Sequence, residues 1–326
     1  MMPNQHIPTT NREAEEFDGN WAKAEHDIAP AFKVSKIGEF LKKKIPPREL
    51  LLAPWLPKQG LAMVYAPRGV GKTHFALEVA VALATGGEFL GWKAPRPVKV
   101  LYIDGEMPSA DLQTRLKQIQ KRTGLIPGDN LRIMTPDEQS GAMPDLSDPC
   151  SLARLKHFTD VDLIVVDNIS TLCRTGNENE AESWRITEGW ALRLRAEGRS
   201  VLFVHHSGKG GGQRGTSKRE DTLDTVVALK HPDDYKQSDG ARFEVHFEKA
   251  RGFSGEDAEP IEARLEIEDK EGYQWQWQKK QDSELLKIRK LSGEGLNQSE
   301  IAEELGVNKS TISRKFKYLK AKGKLD

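Results

Sequence analysis

Eight residues beside the first strongly apolar run have the types needed to hold a triphosphate: Ala66-Pro67-Arg68-Gly69-Val70-Gly71-Lys72-Thr73, with His74 next. They fit the P-loop pattern, with Ala66 where the motif usually has its first glycine. Small residues let backbone N–H groups curl around phosphate oxygens. A helix beginning near Lys72 would aim its positive dipole end at the same anion. Lys72 is then placed to bridge the β and γ phosphates, and the Thr73 hydroxyl to ligate Mg2+. The bland alternative is a chance match in a strand–helix turn. The context argues against it, because a buried strand pattern precedes the loop and an amphipathic helix pattern follows.

Hydrolysis of a nucleotide held this way needs a second metal-organising group and a base that aligns water with the γ-phosphate. Residues 161–167 form an apolar run ending in Asp167. A carboxylate there lies at the carboxyl edge of an α/β sheet, where ligands bind, and is expected to hold magnesium through a water. The alternative is a helix cap or turn residue. A second run, Val100-Leu-Tyr-Ile-Asp-Gly-Glu106, also ends in carboxylates. Glu106 is the expected water-directing base, with Asp104 as runner-up or support; an ordinary solvated loop is the alternative.

These residues require a scaffold that brings strand ends together. Apolar runs at 61–65, 98–104, 131–134, 163–167 and 200–205 alternate with helical patterns at 72–84, 109–122, 151–158 and 180–197. Continuous apolar strands separated by helices predict a parallel sheet covered on both faces. From about 224 to 278 strands dominate, with alternation at Phe243, Val245 and Phe247 and at Tyr273, Trp275 and Trp277, which predicts a β-rich extension of the same sheet. Trp275 and Trp277 read as cover for a sheet edge rather than as a platform for single-stranded bases. Residues 283–326 change to a short helical pattern. The expected organisation is a loosely docked or disordered tail at 1–30, an ATPase domain at 31–278 and a small helical domain at 283–326.

The order of P-loop, Asp-Gly-Glu106, Asp167 and the strand end Val204-His205-His206 resembles the RecA-like ATPases over about residues 50–268. The closest likeness is to RepA-type hexameric plasmid helicases and, more remotely, DnaB-type replicative helicases. The resemblance implies an α/β RecA-like P-loop NTPase core using ATP and Mg2+, with Glu106 activating water. It also implies that His206 senses the γ-phosphate, although a pair of satisfied edge histidines is the alternative. The glycine-rich loop 207–222 carries Lys209, Arg214, Lys218 and Arg219. It suits either a channel gripping a nucleic-acid backbone or, by the RepA-type likeness, Arg214 reaching a neighbouring subunit's nucleotide; a plain solvated basic loop is the third reading. Lys249-Ala-Arg251 is similar to a DnaB-type pair inserted into the next subunit's site, which would require a homo-oligomer, a hexamer or a filament. Its alternative is an ion-paired surface strand.

Near the carboxy terminus, Asn297 and Glu300 have capping-box spacing, Gly306 marks a turn, and Asn308 precedes a second helical run. Ile301, Ala302, Leu305, Val307, Ile312, Phe316 and Leu319 form one expected apolar face. The arrangement resembles the helix-turn-helix of bacterial regulators. Between residues 309 and 324 there are six lysines and Arg314, with no acid. Lys309, Ser310, Thr311, Ser313, Arg314, Lys315 and Lys317 are the candidate DNA contacts. A small packing or oligomerisation module is the alternative.

Composition adds boundaries only. There are 49 basic and 49 acidic residues, so global charge predicts no partner. Two cysteines cannot build a disulfide framework. No stretch approaches the about 18 apolar residues of a membrane helix, and there is no apolar signal core, so a cytoplasmic protein without a membrane partner is expected. The functional expectation is an ATP-dependent DNA motor of a plasmid, phage or integrated element, duplex DNA being held by the helix-turn-helix and single strands by the 207–222 loop. An ATP-switched DNA-binding regulator or initiator is the main rival, and a RecA-like kinase or signalling ATPase a weaker one.

Overall fold

The apolar runs pair in parallel, because each is buried on both faces and the connecting helices cover those faces. The structure, a computed structural model, describes residues 33–174, 181–208, 220–268 and 272–321. The chain divides into a unit of residues 1–47 and a unit of residues 48–326. In the first, the described residues contain one short helix, Ile37–Lys42, with no buried residue.

In the second unit, short strands β1 (Leu50–Leu52) and β2 (Leu56–Pro57) form a small antiparallel pair. The main strands are β3 (Leu61–Ala66), β6 (Val100–Asp104), β7 (Leu131–Met134), β8 (Leu163–Asp167) and β9 (Ser200–His206). They are followed by β10 (Thr225–Lys230), β11 (Arg242–Ala250), β12 (Ile261–Glu268) and β13 (Gly272–Lys279). A hairpin of β4 (Glu88–Phe89) and β5 (Trp92–Lys93) lies outside this sheet. The nine-stranded sheet has the order β13-β12-β11-β10-β3-β9-β8-β6-β7. It is parallel from β10 to β7, and β10 to β13 form an antiparallel meander. The β-rich stretch is thus part of the same sheet.

Two cores sit on opposite faces. One gathers Trp55, Phe75, Phe89, Trp92, Phe243 and Trp275 around the helix Lys72–Thr85. The other places Trp184, Trp190 and Leu194 of the helix Ala181–Ala196 against Leu101, Val166 and Phe203. The first helix departs from the amphipathic expectation: every residue from Phe75 to Ala84 is buried, including Glu78. It is covered on its outer side by β1, β4 and the neighbouring helix Ser109–Thr123, so no face is left for water. Glu78 is accommodated because it pairs with Arg122 and accepts a 2.8 Å hydrogen bond from Trp275 Nε1. The edge strand β13 carries Trp275 inward, whereas Trp277 is 47% exposed.

β13 ends at Lys279 and a helix, Lys280–Gly293, starts at the next residue, so this helix follows the sheet directly and begins before the expected boundary at 283. Helices Gln298–Glu304 and Lys309–Ala321 follow. Asn297 and Glu300 form the expected reciprocal capping box. Leu285, Ile288, Ile301, Ala302, Ile312, Phe316 and Leu319 make a third small core. Val307 departs from the expected apolar face: it lies in the turn and is 40% exposed. Lys280 reaches Glu244 (2.7 Å) and Lys287 reaches Asp234 (2.9 Å), so these helices are tied to the sheet side of the same unit. Among the described residues, no helix is long and apolar enough to cross a membrane.

Candidate active site

Register decides which side chains meet. Ala66 pairs with His206, and Asp104 pairs with Asp167. The carboxyl ends of β3, β9, β8 and β6 therefore lie side by side at one edge, as expected for a ligand site in an open α/β sheet. They border a cleft of about 580 Å³ lined by Gly69, Gly71, Lys72, Thr73, Glu106, Asp167 and His206, with Arg68 and His74 also at its wall.

The loop suits an anion on several counts. Gly69 and Gly71 have φ of 82° and 117°, left-handed conformations that side-chain-bearing residues rarely adopt. A Cβ on Gly71 would also meet the Phe243 ring at 3.3 Å. Gly71 is the N-cap of the Lys72–Thr85 helix, with no side-chain cap and no acid in the first turn, so nothing competes with a phosphate for its leading N–H groups. Val70 is fully buried and anchors the loop, whereas Pro67 and Arg68 are exposed. Lys72 Nζ donates to the carbonyls of Ala66 (3.0 Å) and Pro67 (2.8 Å). Burial pushes its ammonium down to about 8, against the pull of Asp167 and Glu106 and with Arg68 adding to the depression.

Asp167 is buried and accepts a 2.7 Å hydrogen bond from Tyr102 OH. Burial lifts its carboxyl to about 6; the Tyr102 and Thr73 hydrogen bonds and Lys72 oppose the rise, while Asp104 adds to it. A cation beside this carboxylate would favour its charged form. Among the described residues no group of three His, Cys, Asp or Glu side chains forms a metal cage. Thr73 and Asp167 supply a hydroxyl and a carboxylate, oxygen donors of the kind Mg2+ takes alongside waters and phosphate oxygens.

Asp104 is 1% exposed, and its Oδ1 accepts the N–H groups of Glu106 (2.8 Å) and Met107 (2.7 Å). Glu106 faces the cleft with a side chain 63% exposed. Its Oε2 accepts 2.7 Å from Asn168 Nδ2 and lies 4.0 Å from His206 Nε2. Base candidate and sensor candidate thus stand together at the mouth of the phosphate loop. Burial, reinforced by Arg115, drives the His74 imidazole down to about 4, so it is neutral near pH 7.

The remaining candidates lie elsewhere. Thr225 pairs with both Ala62 and Ala250, so the carboxyl end of β11 sits at the amino end of β3, opposite the phosphate edge. Lys249 donates to the carbonyls of Glu220 and Asp221, and Arg251, just past the strand, donates to Asp221 O at 3.1 Å. Both cations meet the end of the 207–222 loop, away from this chain's own phosphate cleft. Arg214 lies outside the described residues, as do Lys209, Lys218 and Arg219. On the last helix, Lys309, Ser310, Ser313, Arg314 and Lys317 are exposed and Thr311 is half-buried. Lys315 is drawn inward to Glu284.

Two site residues have no place in the motif reading. Arg115 lies between the phosphate cleft and an adjoining one of about 700 Å³ that also takes in His74, Gln118 and Tyr273. The spacing of Asp111, Arg115 and Gln118 on the helix after Glu106 is the signal that would have found it. Asn168, 3% exposed, reaches Glu106 across strands, and no spacing in the sequence announces that contact.

No curated protein matches the chain. Among solved structures, the flagellar accessory protein FlaH from Methanocaldococcus jannaschii is similar at 14% identity, over 68% of this chain and 90% of that one, with a TM-score of 0.46. Residues 29–212, which include the phosphate loop, Glu106, Asp167 and His206, match the AAA domain family AAA_25, and the chain belongs to that family of P-loop ATPases.

Proposed function

We propose that this protein is an oligomeric, Mg2+-dependent ATPase that acts on DNA, a helicase or translocase of the RepA type with a helix-turn-helix at its carboxy terminus. The observation that carries the DNA assignment is the one-sided charge of the last helix. Lys309, Ser310, Ser313, Arg314 and Lys317 are exposed on a helix whose Ile312, Phe316 and Leu319 pack inward. Gly306, with φ of 63°, makes the turn, and Val307 N–H closes it on Ala302 O at 2.9 Å. Such a helix matches the dimensions and charge of a major groove. Its first helix continues directly from β13, whose Trp275 bonds Glu78 of the phosphate-loop helix, so a path of packed elements runs from nucleotide to DNA.

In this reading Lys72 and the loop N–H groups hold the phosphates of ATP. Thr73 and Asp167 organise Mg2+, which supplies neutralisation of the developing phosphate charge. Glu106 takes the proton of the attacking water, and His206 contacts the γ-phosphate. Lys249 and Arg251 belong to a neighbouring subunit's site, in a ring or a filament, and the 207–222 loop, with Arg214, grips single strands or reaches that same neighbour. The helix-turn-helix also supports a second reading, an ATP-switched regulator or initiator, because duplex binding is what that class requires.

ATPase rate and strand displacement with single-stranded, forked and duplex DNA, together with mass in solution with ATP, separate the two. Stimulation by single strands and unwinding by an oligomer support the motor. Duplex binding with basal hydrolysis and no unwinding supports the switch. Failure to bind any DNA would sink both. Lys72→Ala should weaken Mg·ATP binding by roughly 10- to 100-fold, the value of a lost charge-assisted contact; calorimetric titration with a non-hydrolysable analogue reads it. Arg314→Ala and Lys317→Ala should each weaken duplex binding, and a phosphate-contacting side chain should lower the salt slope by about 1. Lys315→Ala should leave that slope unchanged, because its ammonium is committed to Glu284.

A further inference from the structure

We propose that Asn168 is a positioning residue for hydrolysis, holding the Glu106 carboxylate in the orientation that accepts the water proton. The inference rests on the reading of Glu106 as the water-directing base. Asn168 follows Asp167 and caps the helix Ile169–Leu172, its Oδ1 accepting from Thr171 N at 3.2 Å. That cap fixes which way the amide lies: with the oxygen turned to a backbone N–H, the Nδ2 group faces Glu106 Oε2 at 2.7 Å. One amide is thereby shared between the helix and the carboxylate. An ionised carboxylate only accepts hydrogen bonds, so the partner must be a donor.

The surroundings leave Asn168 no alternative placement. It is 3% exposed, and its carbonyl accepts from Thr171 Oγ1 at 3.1 Å. Gly105 N–H donates to Asp167 O at 2.7 Å, lacing the end of β6 to the end of β8. A Cβ on Gly105 would meet Thr171 Oγ1 at 2.5 Å, so the Ile169–Leu172 helix rests directly on the residue before Glu106. Asp104 meanwhile fixes the Glu106 backbone. The backbone and one carboxylate oxygen are held, while the side chain stays 63% exposed to the cleft. Without the amide, a glutamate with three free torsions would sample many orientations in water and seldom the productive one.

Serine and aspartate are both good N-caps. Asn168→Ser therefore keeps the helix start but is too short to reach Glu106. Asn168→Asp keeps the cap and sets a second carboxylate against the first. Steady-state and single-turnover ATP hydrolysis should be measured for both variants, alone and combined with Glu106→Gln, alongside Mg·ATP binding. Expected are affinities close to the parent, a kcat lowered by about 10- to 100-fold, and no further loss when Asn168→Ser is added to Glu106→Gln. Serine variants that turn over like the parent while Glu106→Gln is inactive would overturn the assignment. So would an equal loss in both backgrounds, which marks a purely structural role. Parent-like turnover by Glu106→Gln alone would remove the underlying base assignment, and the positioning role with it. If Asn168→Asp does not fold, the serine variant by itself decides.

Discussion

Glu106→Gln should bind Mg·ATP as tightly as the parent and hydrolyse it about 10³-fold more slowly, a barrier increase of about 4 kcal/mol. The glutamine amide is isosteric with the carboxylate and keeps an oxygen for Asn168 Nδ2, so the local lacing survives. What it loses is the ability to take a proton from water. The phosphate contacts of Lys72 and the loop lie on β3 and its helix, whereas Glu106 follows β6, two strands beyond the intervening β9, so binding and turnover should separate cleanly. Equilibrium binding of a fluorescent nucleotide and a phosphate-release assay on the same preparation give the two readings. Near-parent phosphate release would show that another group directs the water. Asp104 is a poor replacement: it is 1% exposed and already accepts two backbone N–H groups.

If Arg251 completes a neighbouring subunit's site, as proposed, Arg251→Ala should lower turnover by about 10³-fold while leaving nucleotide affinity intact. The argument is one of direction. Ala62 to Ala66 covers all but the first residue of β3, roughly 13 Å at 3.3 Å per residue, and Arg251 lies beyond the strand's amino end while the phosphate loop leaves its carboxyl end. Its guanidinium has no route to its own nucleotide. A role in hydrolysis must therefore be played in another subunit, and mixing tests that directly. Lys72→Ala subunits keep Arg251 but are expected to lose phosphate affinity; Arg251→Ala subunits keep the phosphate loop but lack the proposed finger. Mixed oligomers should recover a sizeable fraction of parent turnover, because some interfaces combine the intact halves. A mixture no more active than its components, or an Arg251→Ala protein at parent rate, would return Lys249 and Arg251 to the role they play within this chain. That role is to hold the carbonyls of Glu220 and Asp221 at the end of the 207–222 loop.

The outcome for individual residues follows how local their requirements are. The strand 163–167 and the acid at its end could be read because a doubly buried strand is a continuous apolar run and its end is abrupt. The capping box at Asn297 was legible for the same reason: both hydrogen bonds close within three residues. The Lys72–Thr85 helix departs from the amphipathic expectation because β1, β4, the Ser109–Thr123 helix and the distant Trp275 together cover its outer side, a tertiary arrangement that helical periodicity does not encode. Helix position alone makes Lys315 a candidate DNA contact, whereas its pairing with Glu284 depends on the neighbouring helix.

The amino-acid order alone settled the phosphate loop, the strand-end carboxylates, the alternation of strands and helices, and the starts of the carboxy-terminal helices. Each depends on residues a few positions apart, where backbone sterics and periodicity act directly. Tertiary structure decided everything that depends on which strand lies next to which. It set β9 between β3 and β8, bringing His206 to within 4.0 Å of Glu106. It sent Arg251 to the far edge of the sheet and placed the Asn168 amide against the Glu106 carboxylate. Strand order is a global packing solution, and the juxtapositions it creates leave no mark on local spacing.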